Sequence, residues 1–320
     1  MILIFTEIAD GAIKKSSLEA IYYGSKVAEM MGTTVTALAI GNADAAELEK
    51  AGNFGATNIL HANDTKLTSP NSMAYASVLA ETVKNTGAKV IITAKSSFAD
   101  AVIARAAGAL KAAVVGNVTE LPNMSNGFQV KVSIFTGKAF ADVKVNGDVK
   151  ILAIKKNAVA PIENNNSAAV ENISPSLYEN LFSAKVTETI KATGMISLPE
   201  ADLVVSGGRG MKGPENWQTL LDLADALGAA TACSKPVSDL DWRPHHEHVG
   251  QTGVKVSPNL YIACGISGAI QHLAGVNSSK VLVVINKDPE APFFKAADYG
   301  IVGDVFEILP KLTKAILANK

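Results

Sequence analysis

Cysteine is scarce in this chain: two in 320 residues, Cys233 and Cys264, far apart and in no CxxC pair. They give no disulfide framework, and both read as small buried apolar side chains near strands. A single bridge between them is left open, though nothing in the sequence asks for one. A surplus of one charge is missing too. With 29 basic against 30 acidic side chains the formal net charge is −1, whereas a nucleic-acid partner usually leaves a basic excess. No apolar run approaches the roughly 20 residues that span a bilayer, and Ile2 to Phe5 behind Met1 is too short for a signal-peptide core. The expectation is a soluble protein in a reducing compartment. Catalytic signatures are also lacking: no G-x-S-x-G elbow, no Walker lysine loop and no H-E-x-x-H. What the chain has is apolar mass, 48% hydrophobic residues against 18% charged, enough for the cores of two domains.

Strand patterns alternate with helical ones through the first half. Strands are expected over Ile2–Thr6, Thr34–Ile40, Asn58–His61 and Lys89–Thr93. Helices are expected over Lys14–Met31, Ala45–Ala51, Ser72–Asn85 and Phe98–Leu110, the second capped by Asp44 and stopped by Gly52. Such alternation implies a parallel sheet with helices on both faces. Phe128–Phe135, Lys138–Val145 and Val149–Ile154, with Asn146-Gly147 as a turn, read as an antiparallel extension of that sheet. Val159–Ser176 is rich in Pro, Asn and Ser and reads as a surface excursion. Ala184–Thr193 reads as a last strand, with a domain boundary near residue 190.

A second series follows. Its strands are Leu203–Val205, Ala229–Ala232, Leu260–Cys264, Val281–Ile285 and Tyr299–Val302, with helices over Glu215–Leu227, Ala269–Ala274 and Val305–Leu317. A long polar segment separates Ser234 from Pro258. The fold class expected is α/β: two domains, residues 1–190 and 191–320, each a mostly parallel doubly wound sheet.

The strand ends of the second series carry small and polar residues, where ligands of open parallel sheets bind. Gly208-Arg209-Gly210-Met211-Lys212-Gly213 matches G-x-G-x-x-G after a strand and before a helix, an arrangement that brings backbone N–H groups to a pyrophosphate. The acid that should end the next strand in NAD-binding proteins is absent; Cys233-Ser234-Lys235 stands there. Ser267-Gly268-Ala269 opens a second helix start, and His272 follows one turn later. Gln251-Thr252-Gly253 is by itself an ordinary loop. His245, His246, Glu247 and His248 are adjacent in sequence and converge poorly on one ion, so no metal is expected. Two phosphate-ready helix starts without catalytic machinery point to a bound cofactor that does the chemistry itself.

The stretches Leu260–Gly275, Ile285–Pro292 and Ala297–Val302, with Val205–Gly210 and Val249–Gly253 before them, resemble the signature region of the electron transfer flavoprotein alpha subunit. The resemblance covers about residues 200–318, and the N-terminal half is similar in layout. It implies a Rossmann-like second domain that holds FAD. Arg209, Ser234 and Lys235 would contact the cofactor, and Val249, Gly250, Gln251 and Thr252 would lie along the isoalloxazine and ribityl side. Ser267, Gly268, Ala269, Ile270, Gln271 and His272 would handle the pyrophosphate and, through His272, the flavin O2 edge. Asn286, Asp304 and Val305 would reach the adenosine end. No catalytic residue of its own is implied: the protein is an electron carrier and not an enzyme.

The same resemblance implies a heterodimer with a beta subunit that holds AMP or a second FAD, and a first domain that meets this partner. Flavoprotein dehydrogenases, including those of fatty acid oxidation, would be donors and a membrane quinone oxidoreductase the acceptor. The compartment would be cytoplasmic in a bacterium and the mitochondrial matrix for a processed eukaryotic chain. Lys235 departs from the family's usual arginine, and a weaker pull on the flavin potential is expected there. Val284 departs from a common smaller residue, which reads as packing. The alternatives are an NAD-dependent oxidoreductase using the Gly208–Gly213 loop and a non-redox adenine-nucleotide-binding regulator.

Overall fold

Runs of β-branched and apolar residues form the centre of two separate sheets. The computed structural model describes residues 1–137, 139–184, 186–188 and 197–319. The chain forms two compact units, Met1–Ile190 and Lys191–Lys320. In the first, β1 (Ile2–Thr6) is buried at all five positions, as a central parallel strand covered on both faces requires. A hairpin, β2 (Ile8–Ala9) and β3 (Ala12–Ile13), turns at Asp10 and Gly11, both at positive φ. Then come α1 (Lys15–Met31), β4 (Val35–Ile40), α2 (Ala45–Glu49), β5 (Asn58–Ala62), α3 (Ser72–Thr86), β6 (Val90–Ala94) and α4 (Ser97–Leu110). β7 (Ala113–Val118), β8 (Gln129–Ile134), β9 (Ala139–Lys144), β10 (Lys150–Ile154) and β11 (Ala169–Asn172) follow.

These strands, the hairpin apart, make a nine-stranded sheet of order β11-β5-β4-β1-β6-β10-β7-β8-β9. Its pairings are parallel except β7–β8 and β8–β9. Alternate residues feed two cores: Ile2, Ile4, Ile92 and Leu152 meet α1 on one face, while Leu3, Phe5, Ile91 and Ile151 meet α3 and α4 on the other.

Four expectations need correction. β10 does not extend the sheet antiparallel; it inserts parallel between β6 and β7. Asn146-Gly147 thus redirects the chain to the sheet centre and closes no hairpin. β7, which carries no clear sequence signal, is half exposed and interrupted by Gly116. The supposed excursion after Val159 contains β11, a parallel edge strand beside β5. Finally, Gly52 does not end its helix. The chain continues as a 3₁₀ turn to Phe54 and stops at Gly55, where φ is 101°. Asp44 caps without a side-chain bond. Gly52 serves a close approach instead: a Cβ there would lie 2.4 Å from the Ala168 nitrogen. The strand expected over 184–193 lies largely outside the described residues.

The second unit comprises β12 (Leu203–Gly207), α5 (Gln218–Leu227), β13 (Ala230–Cys233), α6 (Lys235–Asp239), β14 (Leu260–Cys264), α7 (Ile270–Val276), β15 (Val281–Asn286), β16 (Tyr299–Val302) and α8 (Val305–Ala318). The five strands are all parallel, in the order β13-β12-β14-β15-β16. Val205, Ile262 and Ile285 pack under α5 and α8, and Val204, Tyr261, Ala263 and Val284 pack on the face of α7. The polar segment after Ser234 is not structureless, since it holds α6 and a 3₁₀ turn at His245–Glu247. Cys233 and Cys264 are buried free thiols on either side of Gly207, and burial pushes both up to about 12. Among the described residues no helix is long and apolar enough to cross a membrane.

Candidate functional site

In each sheet the strand order turns back beside the first strand, and ligands of such sheets bind at that reversal, outside the carboxyl ends of the strands. The two reversals differ in chemistry. In the first unit it lies between β1 and β6, where Glu7 is 7% exposed. Its carboxylate accepts a hydrogen bond from Ser96, the N-cap of α4, and pairs with Lys14 Nζ at 3.3 Å. The place an anion would take at a helix start is filled by the chain's own anion.

The second reversal lies between β12 and β14, and every site residue expected from the sequence falls at that edge of the sheet. Arg209 follows β12, and Ser234 and Lys235 follow β13. Val249 to Thr252 lie on the way to β14, tied to the end of β13 by the Val249 N–H, which donates to Cys233 O at 3.0 Å. Ser267 to His272 follow β14, Asn286 ends β15, and Asp304 and Val305 open α8.

Glycine makes this edge possible. A Cβ on Gly208 would lie 2.2 Å from Gly265 O, and one on Gly210 would lie 2.6 Å from Gly265 Cα. The Gly208 and Gly210 amides donate to Cys264 O and Gly265 O, and those of Met211 and Lys212 donate within the loop. The G-x-G-x-x-G pattern is therefore first a steric seam between two strand-end loops. Two of these four amides bond across the seam and two within the loop, and no α-helix follows the loop until Gln218. A second seam joins Gly250 to Gly275, where an added Cβ would lie 2.6 Å from the Gly250 nitrogen. The Gln251 amide donates to Gln271 O at 2.7 Å, which fastens the Val249–Thr252 loop to α7.

His272 is 6% exposed. Its Nε2 lies 2.9 Å from the Tyr261 hydroxyl, and its Nδ1 is buried without a hydrogen-bond partner. Burial, then repulsion from His248, pushes the imidazole down to about 4, against a weaker pull from the Val249 main chain, so the ring is neutral at pH 7. Around it Arg209, Gln251, Thr252, Ser267, Ala269, Ile270 and Gln271 are exposed.

Of the other expected residues, Asn286, Asp304, Val305 and Lys235 are committed to structure through their side chains. Asn286 donates to Ile266 O at 3.0 Å, Asp304 caps α8 and pairs with Lys287, and Val305 is core. Lys287 holds the Asp304 carboxyl below its usual range. Ser234 is buried at the N-cap of α6. Lys235 is exposed, and its ammonium is gripped by Asp239 one turn along, at 2.7 and 2.8 Å. His245 bonds Ser238, while Glu247 takes Arg243 and Thr231. Among the described residues no group of three or more His, Cys, Asp or Glu could hold a metal ion. Tyr261 escaped the sequence reading, being a polar group at a strand position that reads as core, whereas Ser206 stood among the small and polar strand-end residues.

Residues 2–177 match the family model of the electron transfer flavoprotein domain, and residues 197–277 match that of the electron transfer flavoprotein FAD-binding domain. The electron transfer flavoprotein subunit alpha of Bacillus subtilis is 34% identical over 319 residues, covering 98% of this chain and 96% of that one. That of Pseudomonas aeruginosa is 35% identical over 317 residues, covering 98% and 99%. The mitochondrial subunit alpha of Dictyostelium discoideum is 40% identical over 239 residues, covering 72% and 66%. Matched along nearly its whole length, the chain belongs to the electron transfer flavoprotein family, among its alpha subunits.

Proposed function

We propose that the chain carries electrons on an FAD held by residues 191–320, a Rossmann-like domain, at the edge where β12 and β14 part. One observation supports this above the rest. His272 Nδ1 is a buried polar atom left without a partner beside an exposed, small-residue helix start, and a bound group would complete it. FAD supplies the redox chemistry by taking up and releasing electrons. The chain's own residues bind and tune it. Ser267 to Gln271 would receive the pyrophosphate, with Arg209 as a cation beside it. Ser234 and the Val249–Thr252 loop would line the ring, with the Thr252 hydroxyl toward N5, and His272 would meet its carbonyl edge. Asn286, Asp304 and Val305 would reach the adenosine end through the main chain, since their side chains are engaged elsewhere. The Glu7 carboxylate disfavours a phosphate at the first reversal, so the first unit is left to meet a beta subunit that holds AMP or a second FAD. Flavoprotein dehydrogenases would donate, and a membrane quinone oxidoreductase would accept.

The test is an absorption spectrum of the chain purified with its beta subunit. Flavin bands that bleach on reduction are expected, and a colourless protein would remove the cofactor from the reading. In His272→Ala the loss of a hydrogen bond to charge arriving on the ring, roughly 1.5–3 kcal/mol, should lower the first reduction potential by very roughly 60–130 mV. An unchanged potential sinks the His272 assignment. Lys235 should matter far less, because Asp239 already holds its ammonium at the surface. Lys235→Ala is expected to move the same potential by less than roughly 20 mV, a third of a decade in equilibrium constant. A drop as large as that of His272→Ala would place the ammonium on the ring.

A further inference from the structure

The Tyr261 phenol is wholly buried, and its recorded hydrogen bond is the one to His272 Nε2. Burial keeps it protonated far above its ordinary range, so it always has one proton to place. Across the sheet the Ser206 hydroxyl, also 0% exposed, faces the phenol and favours its ionised form, as a donor would. Ser206 makes no hydrogen bond of ordinary geometry. The acceptor the phenol meets at bonding distance is therefore the histidine nitrogen. A neutral imidazole carries one proton on one of its two nitrogens. When Nε2 accepts from Tyr261, the proton resides on Nδ1. The opposite tautomer would point two protons at each other, or turn the phenol's proton to Ser206 Oγ, which lies outside ordinary hydrogen-bond geometry, and leave it poorly bonded in the interior, which is costly.

We propose that Tyr261 is a positioning residue that fixes the tautomer of His272, so that the ring presents an N–H and not a lone pair at the edge of the second sheet. Three buried groups then point one way, Ser206 toward Tyr261, Tyr261 toward Nε2, and Nδ1–H away from both, toward an acceptor that the chain does not supply at ordinary hydrogen-bond geometry, the Val249 main chain pulling on the ring only weakly. A donor fixed in this sense selects a carbonyl or an anionic oxygen and rejects another N–H. That this oxygen belongs to the flavin rests on the function proposed above; the tautomer does not.

The experiment uses the full chain with its partner subunit, stripped of flavin and then loaded. The nitrogen NMR shifts of the histidine rings report which nitrogen carries the proton. Stripped wild type should show His272 protonated on Nδ1 and deprotonated on Nε2. Tyr261→Phe, which keeps the ring and removes the hydroxyl, should lose that preference, while Ser206→Ala keeps it. In the loaded complex Tyr261→Phe should lower the first reduction potential in the same direction as His272→Ala, but by less. A wild-type ring protonated on Nε2 overturns the proposal, even if Tyr261→Phe does not fold. So does a Tyr261→Phe protein whose tautomer and potential match the wild type. A protein that shows the Nδ1–H tautomer but binds no flavin would instead defeat the cofactor reading alone.

Discussion

Arg243→Ala lowers the stability of the second unit by about 3–5 kcal/mol, the range for removing one partner of a buried ion pair. Glu247 is the reason. Its side chain is 2% exposed, and Arg243 grips it through Nε at 2.8 Å and through Nη2 at 2.5 Å. Without the guanidinium the carboxylate keeps only the Thr231 hydroxyl, at 3.2 Å. The arginine also lies over the Trp217 ring, 5.9 Å from its centre, so packing is lost with the charge. Urea unfolding followed by Trp fluorescence measures the loss. Arg243→Met with Glu247→Gln should recover much of it, because two neutral groups strand no charge. On the function proposed above the damage should reach the cofactor too, since His248 and Val249, directly after Glu247, tie the Val249–Thr252 loop to the end of β13. An unfolding midpoint equal to that of the wild type would mean that Glu247 does not depend on the guanidinium.

Gly208→Ala should cost on the order of 3 kcal/mol, the upper part of the range for overpacking a filled interior. Its φ of −112° suits any residue, so the cause is space and not backbone conformation. The added methyl would lie 2.2 Å from Gly265 O and 2.8 Å from Ile266 Cγ1. The nearest obstacle is backbone, and the Ile266 side chain behind it sits in a filled core, so little can move aside. The loops must part, which breaks the bonds from Gly208 N to Cys264 O and from Gly210 N to Gly265 O. The expected result is a lower melting temperature together with loss of flavin during purification. Gly108→Ala is the control. It lies inside α4 with nothing within 4 Å of its Cβ, and should raise the melting temperature slightly. If Gly208→Ala melts with the wild type and keeps its colour, the seam is not closed as described.

Much of the fold was legible because central parallel strands announce themselves. Ile2–Thr6 and Val90–Ala94 are short unbroken apolar runs, which only burial on both faces tolerates. Strands without that burial were missed. Ala113–Val118 is half exposed and broken by Gly116, and Ala169–Asn172 has an exposed, partly polar face. Strand direction was illegible for a different reason. Asn146-Gly147 signals a turn but cannot say where the next strand will dock, and Lys150–Ile154 found its place between two strands that come earlier in the chain, one of them without a sequence signal. At the site, residues on strand ends could be read from their small size and polarity. Their supports could not. Tyr261 looks like one more core aromatic until its hydroxyl is seen on His272, and the contact of Arg243 with Glu247 depends on a loop that no periodicity describes.

The glycine seams carry one more consequence. An electron carrier gains and loses a charge in every cycle, and each dipole around the cofactor that swings in response dissipates part of the driving force twice, once on loading and once on delivery. Where Gly208 and Gly210 meet Gly265, and Gly250 meets Gly275, backbone lies directly on backbone. Such contacts have no side-chain rotamers to re-sort, and dipoles held fixed in advance need no rearrangement when the charge arrives. The same close contact that makes a single methyl intolerable should keep the reorganisation energy low, and with it the temperature dependence of the transfer rate.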